Sequence, residues 1–207
     1  AYQQQREVHT KVLEGKTPLT LLLVEHNPVI TMSRRRNARQ HLLADDATLD
    51  RLEIDIQTTD RGGDITYHGP GQIVAYPIFR LNDLRMNVVQ YMRFLEQIVI
   101  NTVATFDVKA RRIEGCTGVW VDHPDGPTDL AKLAALGVRV KRNVTLHGLA
   151  LNVTTNLTHY ATIVPCGLHD KTVTSLEQIL KDRMPSIQST KNELINQFRR
   201  HVTEPLP

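Results

Sequence analysis

Apolar residues recur at loose helical spacing at Tyr2, Val8, Val12 and Leu13 and stop at Gly15, which predicts a first helix with a glycine C-cap. LTLLLVEH at 19–26 is a continuous apolar run of strand length and predicts a buried strand, turned back through Asn27-Pro28 into VITMS. Residues 44–52 look like a short helix with an acidic start, leading into a strand in IDIQTTD at 54–60. IVAYPIF at 73–79 is a further short apolar strand. Asn87 then stands as the cap of a long helix, because Val88, Tyr91, Met92, Leu95, Val99, Thr102, Val103 and Phe106 repeat at three- and four-residue steps. That stripe predicts a helix packed on a sheet, with Tyr91 and Met92 in the core. ARRI at 110–113, GVWV at 118–121, LAKLAALGVRV at 130–140 and TLHGLALNV at 145–153 read as strands, and HPDGPT at 123–128 as a turn. Thr190 and Glu193 have the spacing of a capping box, opening a last helix that buries Leu194, Ile195, Phe198 and Val202.

Composition narrows the class. The chain has 207 residues and no linker rich in proline, serine or glycine, so one domain over 1–207 is expected. With 41% apolar and 23% charged residues the balance is that of a water-soluble globular protein, and no apolar run approaches the roughly 20 residues of a membrane helix. No basic start precedes an apolar segment, and the two cysteines, Cys116 and Cys166, read as free thiols in a reducing compartment. Net charge is +3, with basic clusters at Arg34–Arg36, Lys109–Arg112 and Arg139–Arg142. No aromatic platform accompanies them, so a solvated face is a better reading than a nucleic-acid surface.

The most constrained stretch is Arg61–Gln72, RGGDITYHGPGQ, in which glycine and proline interleave with Arg61, Asp64, Thr66, Tyr67, His68 and Gln72. Such a density of special residues predicts a binding loop at a sheet edge facing a cavity, and no ordinary core strand, since a hairpin turn needs only one or two of them. In TLHGLALNV, Gly148 and Ala150 leave room on the strand surface; a wall for a linear acyl chain and a close crossing over a neighbouring strand explain this equally well.

RGGDITYHGPGQ closely resembles the signature of the octanoyltransferases of protein lipoylation, within the biotin and lipoate ligase superfamily. AKLAALGV at 131–138, TLHGLALNV and IVPCGL at 163–168 resemble the same family in the same order, and the likeness runs from about Leu19 to Leu176. It implies an α+β fold, a large mixed β-sheet flanked by helices with a smaller second sheet. Where the family pattern reads EHPPVYTLG this chain has EHNPVITMS, with Ser33 in place of glycine. The pattern also carries a short strand ahead of the first helix, so the sequence as given is expected to be trimmed there.

The resemblance implies a nucleophile at Cys166, in the PCG triplet, and a catalytic lysine at Lys132; Cys116 matches no catalytic position. At ordinary pKa values a proton shared between lysine and cysteine prefers the lysine by about 2.6 kcal/mol, so the resting dyad is expected as thiolate with ammonium. The implied reaction is octanoyl transfer from octanoyl acyl carrier protein through an acyl-cysteine to a lysine of lipoyl domains of 2-oxoacid dehydrogenases or of the glycine cleavage H protein. A thioester is already activated, so ATP is not expected; no cofactor is expected, and no pair of the histidines has metal-ligand spacing with acidic or thiol partners, so no metal is expected. Arg61, Gly62, Gly63, Asp64, Ile65, Thr66, Tyr67 and His68, together with Ala135, Leu136, Gly137, His147, Gly148, Leu149 and Ala150, are implied to line the acyl site. His68 and His147 are treated as orienting groups, although either is chemically reasonable as a general base; His26, Tyr67 and Gln72 could support the loop rather than touch substrate. Basic patches would steer acidic carrier partners. A monomer in the cytoplasm is expected, without nucleic-acid or membrane partners. The rival readings are an ATP-dependent lipoate or biotin ligase on the same fold, and a noncatalytic binding module.

Overall fold

The computed structural model describes residues 1–35, 38–123, 130–164 and 172–203. The elements are α1 (Tyr2–Leu13), β1 (Thr20–Val24), β2 (Val29–Met32), α2 (Asp46–Arg51), β3 (Asp55–Thr58), β4 (Ile65–His68), β5 (Gln72–Ile78), α3 (Val88–Ala104), β6 (Arg111–Ile113), β7 (Cys116–Asp122), β8 (Leu130–Lys141), β9 (Val144–Asn152), β10 (Thr172–Val173), α4 (Leu176–Leu180) and α5 (Ile187–Thr203). Short 3-10 turns at Ala38–His41, Leu157–Thr162 and Lys181–Arg183 complete the described residues.

Among these residues a seven-stranded sheet runs β1-β5-β9-β8-β7-β6, with β10 added to β8, and a three-stranded sheet runs β3-β2-β4. Both are mixed: β10 joins β8 and β3 joins β2 in parallel, and the other pairs are antiparallel. Strand alternation divides the large sheet into two faces. Ile73, Ala75, Leu149 and Leu151 point to the main core, where α3 and α5 supply Tyr91, Phe94, Leu95, Ile98, Leu194 and Phe198. Val74, Tyr76 and Ala150 point the other way. On that side α1 packs Val12 against Ile78 and Val144, and the small sheet closes around its own core of Ile30, Ile65, Tyr67 and Tyr160. The cavity described below lies on this second face.

Local chemistry accounts for the helices that frame it. Asn87 caps α3 in a reciprocal box with Gln90, whose side chain returns to the Asn87 amide at 2.9 Å. Asp45 accepts the Thr48 amide at 2.9 Å to start α2. β8 and β9 are joined by Arg142 and Asn143, both at positive φ, as a two-residue hairpin turn requires.

Several expectations are corrected. β1 is an edge strand, half-buried throughout, because only β5 flanks it. The Arg61–Gln72 stretch is not only a loop: Ile65–His68 is a buried strand paired with β2, and the alternation sends Ile65 and Tyr67 to the small core. α5 begins near Ser186, whose hydroxyl accepts the Ser189 amide, so Thr190 lies inside the helix and donates to the Ser186 carbonyl. On α3, Val88 is exposed and Met92 half-buried, while Phe94 and Ile98, outside the predicted stripe, are buried. The helix meets a sheet rather than a narrow seam, so a wider arc of it is covered. The predicted turn at 123–128 lies outside the described residues except for His123.

Candidate active site

The cavity between the large sheet, the small sheet and α1 has a volume of about 300 Å³, the lower end of the range for small-molecule sites. Thirteen of the fifteen residues implied for the acyl site stand on its wall: Arg61, Gly63, Asp64, Ile65, Thr66, His68, Ala135, Leu136, Gly137, His147, Gly148, Leu149 and Ala150. Gly62 and Tyr67 stand behind it. Gly62 donates its amide to the Val138 carbonyl at 2.9 Å, docking the signature stretch onto β8, and a Cβ there would lie 2.9 Å from that same oxygen. Tyr67 is buried in the small core, with its hydroxyl 2.7 Å from His159 Nδ1. Burial pushes that phenol up to about 12.

Gly148, on β9, crosses β5 closely. It lies on the cavity wall, and a Cβ there would meet the Ala75 carbonyl and come within 2.7 Å of Pro77 Cδ. The β5–β9 register stops at Ala75 and Leu149, and His147, at φ +60, takes a left-handed backbone that side chains rarely adopt. Its amide bonds instead to Gln5 Oε1 on α1 at 2.8 Å.

The His147 ring is held on three sides. Tyr2 stacks on it with centroids 5.5 Å apart, Tyr76 meets it edge-on, and Nε2 lies 2.9 Å from Asp60 Oδ1. Burial works against ionisation of Asp60, but hydrogen bonds from His147 and Tyr2 and the adjoining Arg139 charge outweigh it and hold the carboxyl below its usual range. An ionised carboxylate only accepts, so Nε2 carries the proton. Burial keeps His147 below the ordinary histidine range despite Asp60.

His68 is fixed by a buried amide. Gln72 Nε2 faces the Tyr67 carbonyl at 3.3 Å, which only accepts, so Oε1 faces His68 Nδ1 at 2.7 Å and Nδ1 carries the proton. Nε2 faces Thr31 Oγ1 at 3.4 Å, and that hydroxyl accepts from Arg61 Nε at 3.1 Å. Gln72 Nε2 also reaches Asn152 Oδ1 at 2.9 Å and the Tyr160 hydroxyl at 3.1 Å; Asn152 bonds the Thr174 carbonyl, and the Thr174 amide bonds the Lys132 carbonyl. A continuous polar chain therefore runs from Arg61 to the backbone of Lys132. Burial depresses His68 to about 3, with Gln72 opposing the shift. At neutral pH His68 is a neutral imidazole that hydrogen-bonds, and a poor proton carrier.

Lys132 is 6% exposed, and its ammonium lies 4.7 Å from the centre of the Trp120 ring. Val119 pairs with Ala134 but Trp120 pairs with Lys132, so β8 carries one extra residue at Leu133. Leu133 and Ala134 both enter the main core, which leaves Lys132 on the same sheet face as Ala135, the cavity face. Cys166 lies outside the described residues, and Cys116 is a half-buried free thiol.

Sequence reasoning missed Tyr2 and Gln5 of α1, Thr31, Tyr76, and Gln57–Thr59, all on the wall, and Asp60 behind His147. In the sequence Tyr2 reads as part of the apolar spacing of the first helix, and no pattern in α1 marks a helix laid over a cavity. His26, for which the sequence leaves loop support and substrate contact equally open, lines the wall and lies 2.7 Å from the Tyr76 hydroxyl; burial lowers its pKa. Among the described residues no group of three or more potential ligands is placed to hold a metal ion, and no helix is long and apolar enough to cross a membrane.

Comparison with known proteins agrees with this architecture. The lipoyl protein ligase A/B catalytic domain family matches residues 1–199. An octanoyltransferase from Cytophaga hutchinsonii is 44% identical over 88% of this chain and 72% of its own length; one from Acidobacterium capsulatum is 40% identical over 96% and 85%. Among solved structures, lipoate-protein ligase A bound with ATP superposes with a TM-score of 0.71 at 16% identity, covering 97% of this chain and 81% of the other. A bi-partite lipoate protein ligase from Thermoplasma acidophilum gives 0.70 at 16% identity over 97% and 79%, and both likenesses concern the fold alone. The chain belongs to the lipoyl protein ligase A/B catalytic domain family and, within it, to the octanoyltransferases.

Proposed function

We propose that this acyltransferase moves an octanoyl group from acyl carrier protein to a lysine of lipoyl domains, those of 2-oxoacid dehydrogenases and the glycine cleavage H protein, through a thioester on Cys166. The observation that carries this reading is the placing of Lys132 on the same sheet face as Ala135, which lines the cavity. The small residues Gly137, Gly148 and Ala150 leave space for a linear chain, and neutral His68 and His147 offer hydrogen bonds without bringing charge to it.

The Lys132 ammonium favours the thiolate of Cys166, which attacks the thioester carbonyl; the carbon–sulfur bond to the carrier breaks and the carrier sulfur departs as a thiol with the proton of Lys132, leaving that lysine a neutral amine. The acceptor amine, as the free base, then attacks the acyl-cysteine, the Cys166 thiolate leaves, and the amine's surplus proton passes to the now neutral Lys132, restoring the thiolate–ammonium pair. Atoms balance without ATP, because both donor and intermediate are thioesters. The basic residues Arg34, Arg35 and Arg39 near the signature stretch would steer acidic carrier domains.

Transfer of octanoyl from its carrier to an apo-lipoyl domain in ATP-free buffer tests this reading, with Cys166→Ser alongside. Transfer by the wild type and none by the folded variant is expected. Transfer only when ATP and free octanoate are added would favour a ligase, and full activity of Cys166→Ser would remove the nucleophile.

A further inference from the structure

Glu96 is a carboxylate on α3 that is 1% exposed and faces the sheet, a position where an apolar residue of similar volume is often no less stable. Its Oε2 is paired with Arg93 Nη1 at 2.8 Å and Arg112 Nε at 3.1 Å, and Arg112 is fixed further by the Arg93 carbonyl and Gln97. The other oxygen, Oε1, accepts the amide of Gly118 on β7 at 3.2 Å. Gly118 has φ +129, a backbone side chains rarely adopt, and stands beside the extra residue in β8. A Cβ there would lie 2.9 Å from the Ala134 carbonyl and 3.2 Å from Lys132 Cε. The bare backbone of Gly118 is thus one side of the slot that holds the Lys132 stem, and Trp120 is another.

We propose that Glu96 is a positioning residue for Lys132: by gripping the Gly118 amide from the helix side, it fixes the strand irregularity that aims the lysine at the cavity face. Glu96 acts here through the Gly118 backbone. The two arginines hold the carboxylate in one orientation, so the chain of restraint runs Arg93 and Arg112, Glu96, Gly118, Lys132. This inference rests on the assignment of Lys132 to the reaction.

The test compares Glu96→Met, Glu96→Gln and Gly118→Ala with Lys132→Ala, each checked for cooperative thermal unfolding. A lysine displaced by about 1 Å costs on the order of 10²-fold in kcat, and Glu96→Met is expected to show this with KM for the octanoyl carrier unchanged. Its Cys166 alkylation profile should move to higher pH, as in Lys132→Ala. Glu96→Gln keeps an amide oxygen for Gly118 and should restore kcat and the profile. Gly118→Ala leaves the Glu96 ion pairs intact but fills the slot, and should reproduce the loss should Glu96→Met not fold. A wild-type kcat and alkylation profile in folded Glu96→Met or in Gly118→Ala overturns the proposal. If Lys132→Ala itself turns over at the wild-type rate, the assignment of Lys132 fails and this inference with it; if Lys132→Ala is inactive and Glu96→Met is not impaired, only the positioning role falls.

Discussion

His68 should leave a measurable mark on how stability varies with pH. In the unfolded chain it binds a proton near the ordinary value of 6.5, whereas in the folded protein burial holds it down to about 3. Between those values the unfolded state binds one more proton, so the stability present above pH 6.5 is lost as pH falls toward 3. One proton is worth about 1.4 kcal/mol per pH unit, which over the whole interval reaches about 5 kcal/mol, comparable with the net stability of a small domain. His68→Asn removes the titration while offering an amide nitrogen in place of Nδ1 to Gln72 Oε1. Urea unfolding at pH 7, 6, 5 and 4 should give a wild-type stability that falls more steeply than the variant's by about one proton. His26 and His147, also lowered by burial, act in the same direction in both proteins and cancel in the difference. Equal slopes, or a His68 ring that titrates near 6.5 by NMR in the folded protein, would refute the buried neutral assignment and reopen a proton-carrying role.

Further outcomes are expected. Gln72→Leu leaves His68 Nδ1 and part of the Asn152 and Tyr160 pair without partners, and should lower stability in urea unfolding by about 3 kcal/mol or more, given roughly 1–3 per orphaned group. Gly62→Ala presses a methyl against the Val138 carbonyl, so unfolding should show about 1–3 kcal/mol of destabilisation, with a raised KM for the octanoyl donor as the signature stretch lifts from β8. Asp60→Asn removes the charge that opposes burial at His147; the His147 ring should titrate at still lower pH by NMR than in the wild type.

Much of this site is written in short-range chemistry, and that part is legible in the sequence. Asn87 announces the start of α3, and Gly148 marks a place where one strand crosses closely over another. Four ordered motifs disclose the family before any coordinates. What the sequence hides depends on long-range placement. Gln5 meets the amide of His147 across 142 residues of chain, and Glu96 meets the amide of Gly118 beside a one-residue slip in strand register. Ile65–His68 reads as loop because its glycine and proline flanks are dense, yet pairing with β2 makes it a strand. A local pattern carries no information about the partner strand that decides such cases.

The most direct test of the transferase account is intact-protein mass spectrometry of the enzyme mixed with octanoyl acyl carrier protein in the absence of ATP, followed by addition of an apo-lipoyl domain. The account predicts an octanoyl adduct that maps to Cys166 and disappears as the domain gains the same mass. No adduct with a competent donor, or an adduct on another residue that passes to the domain, would contradict it.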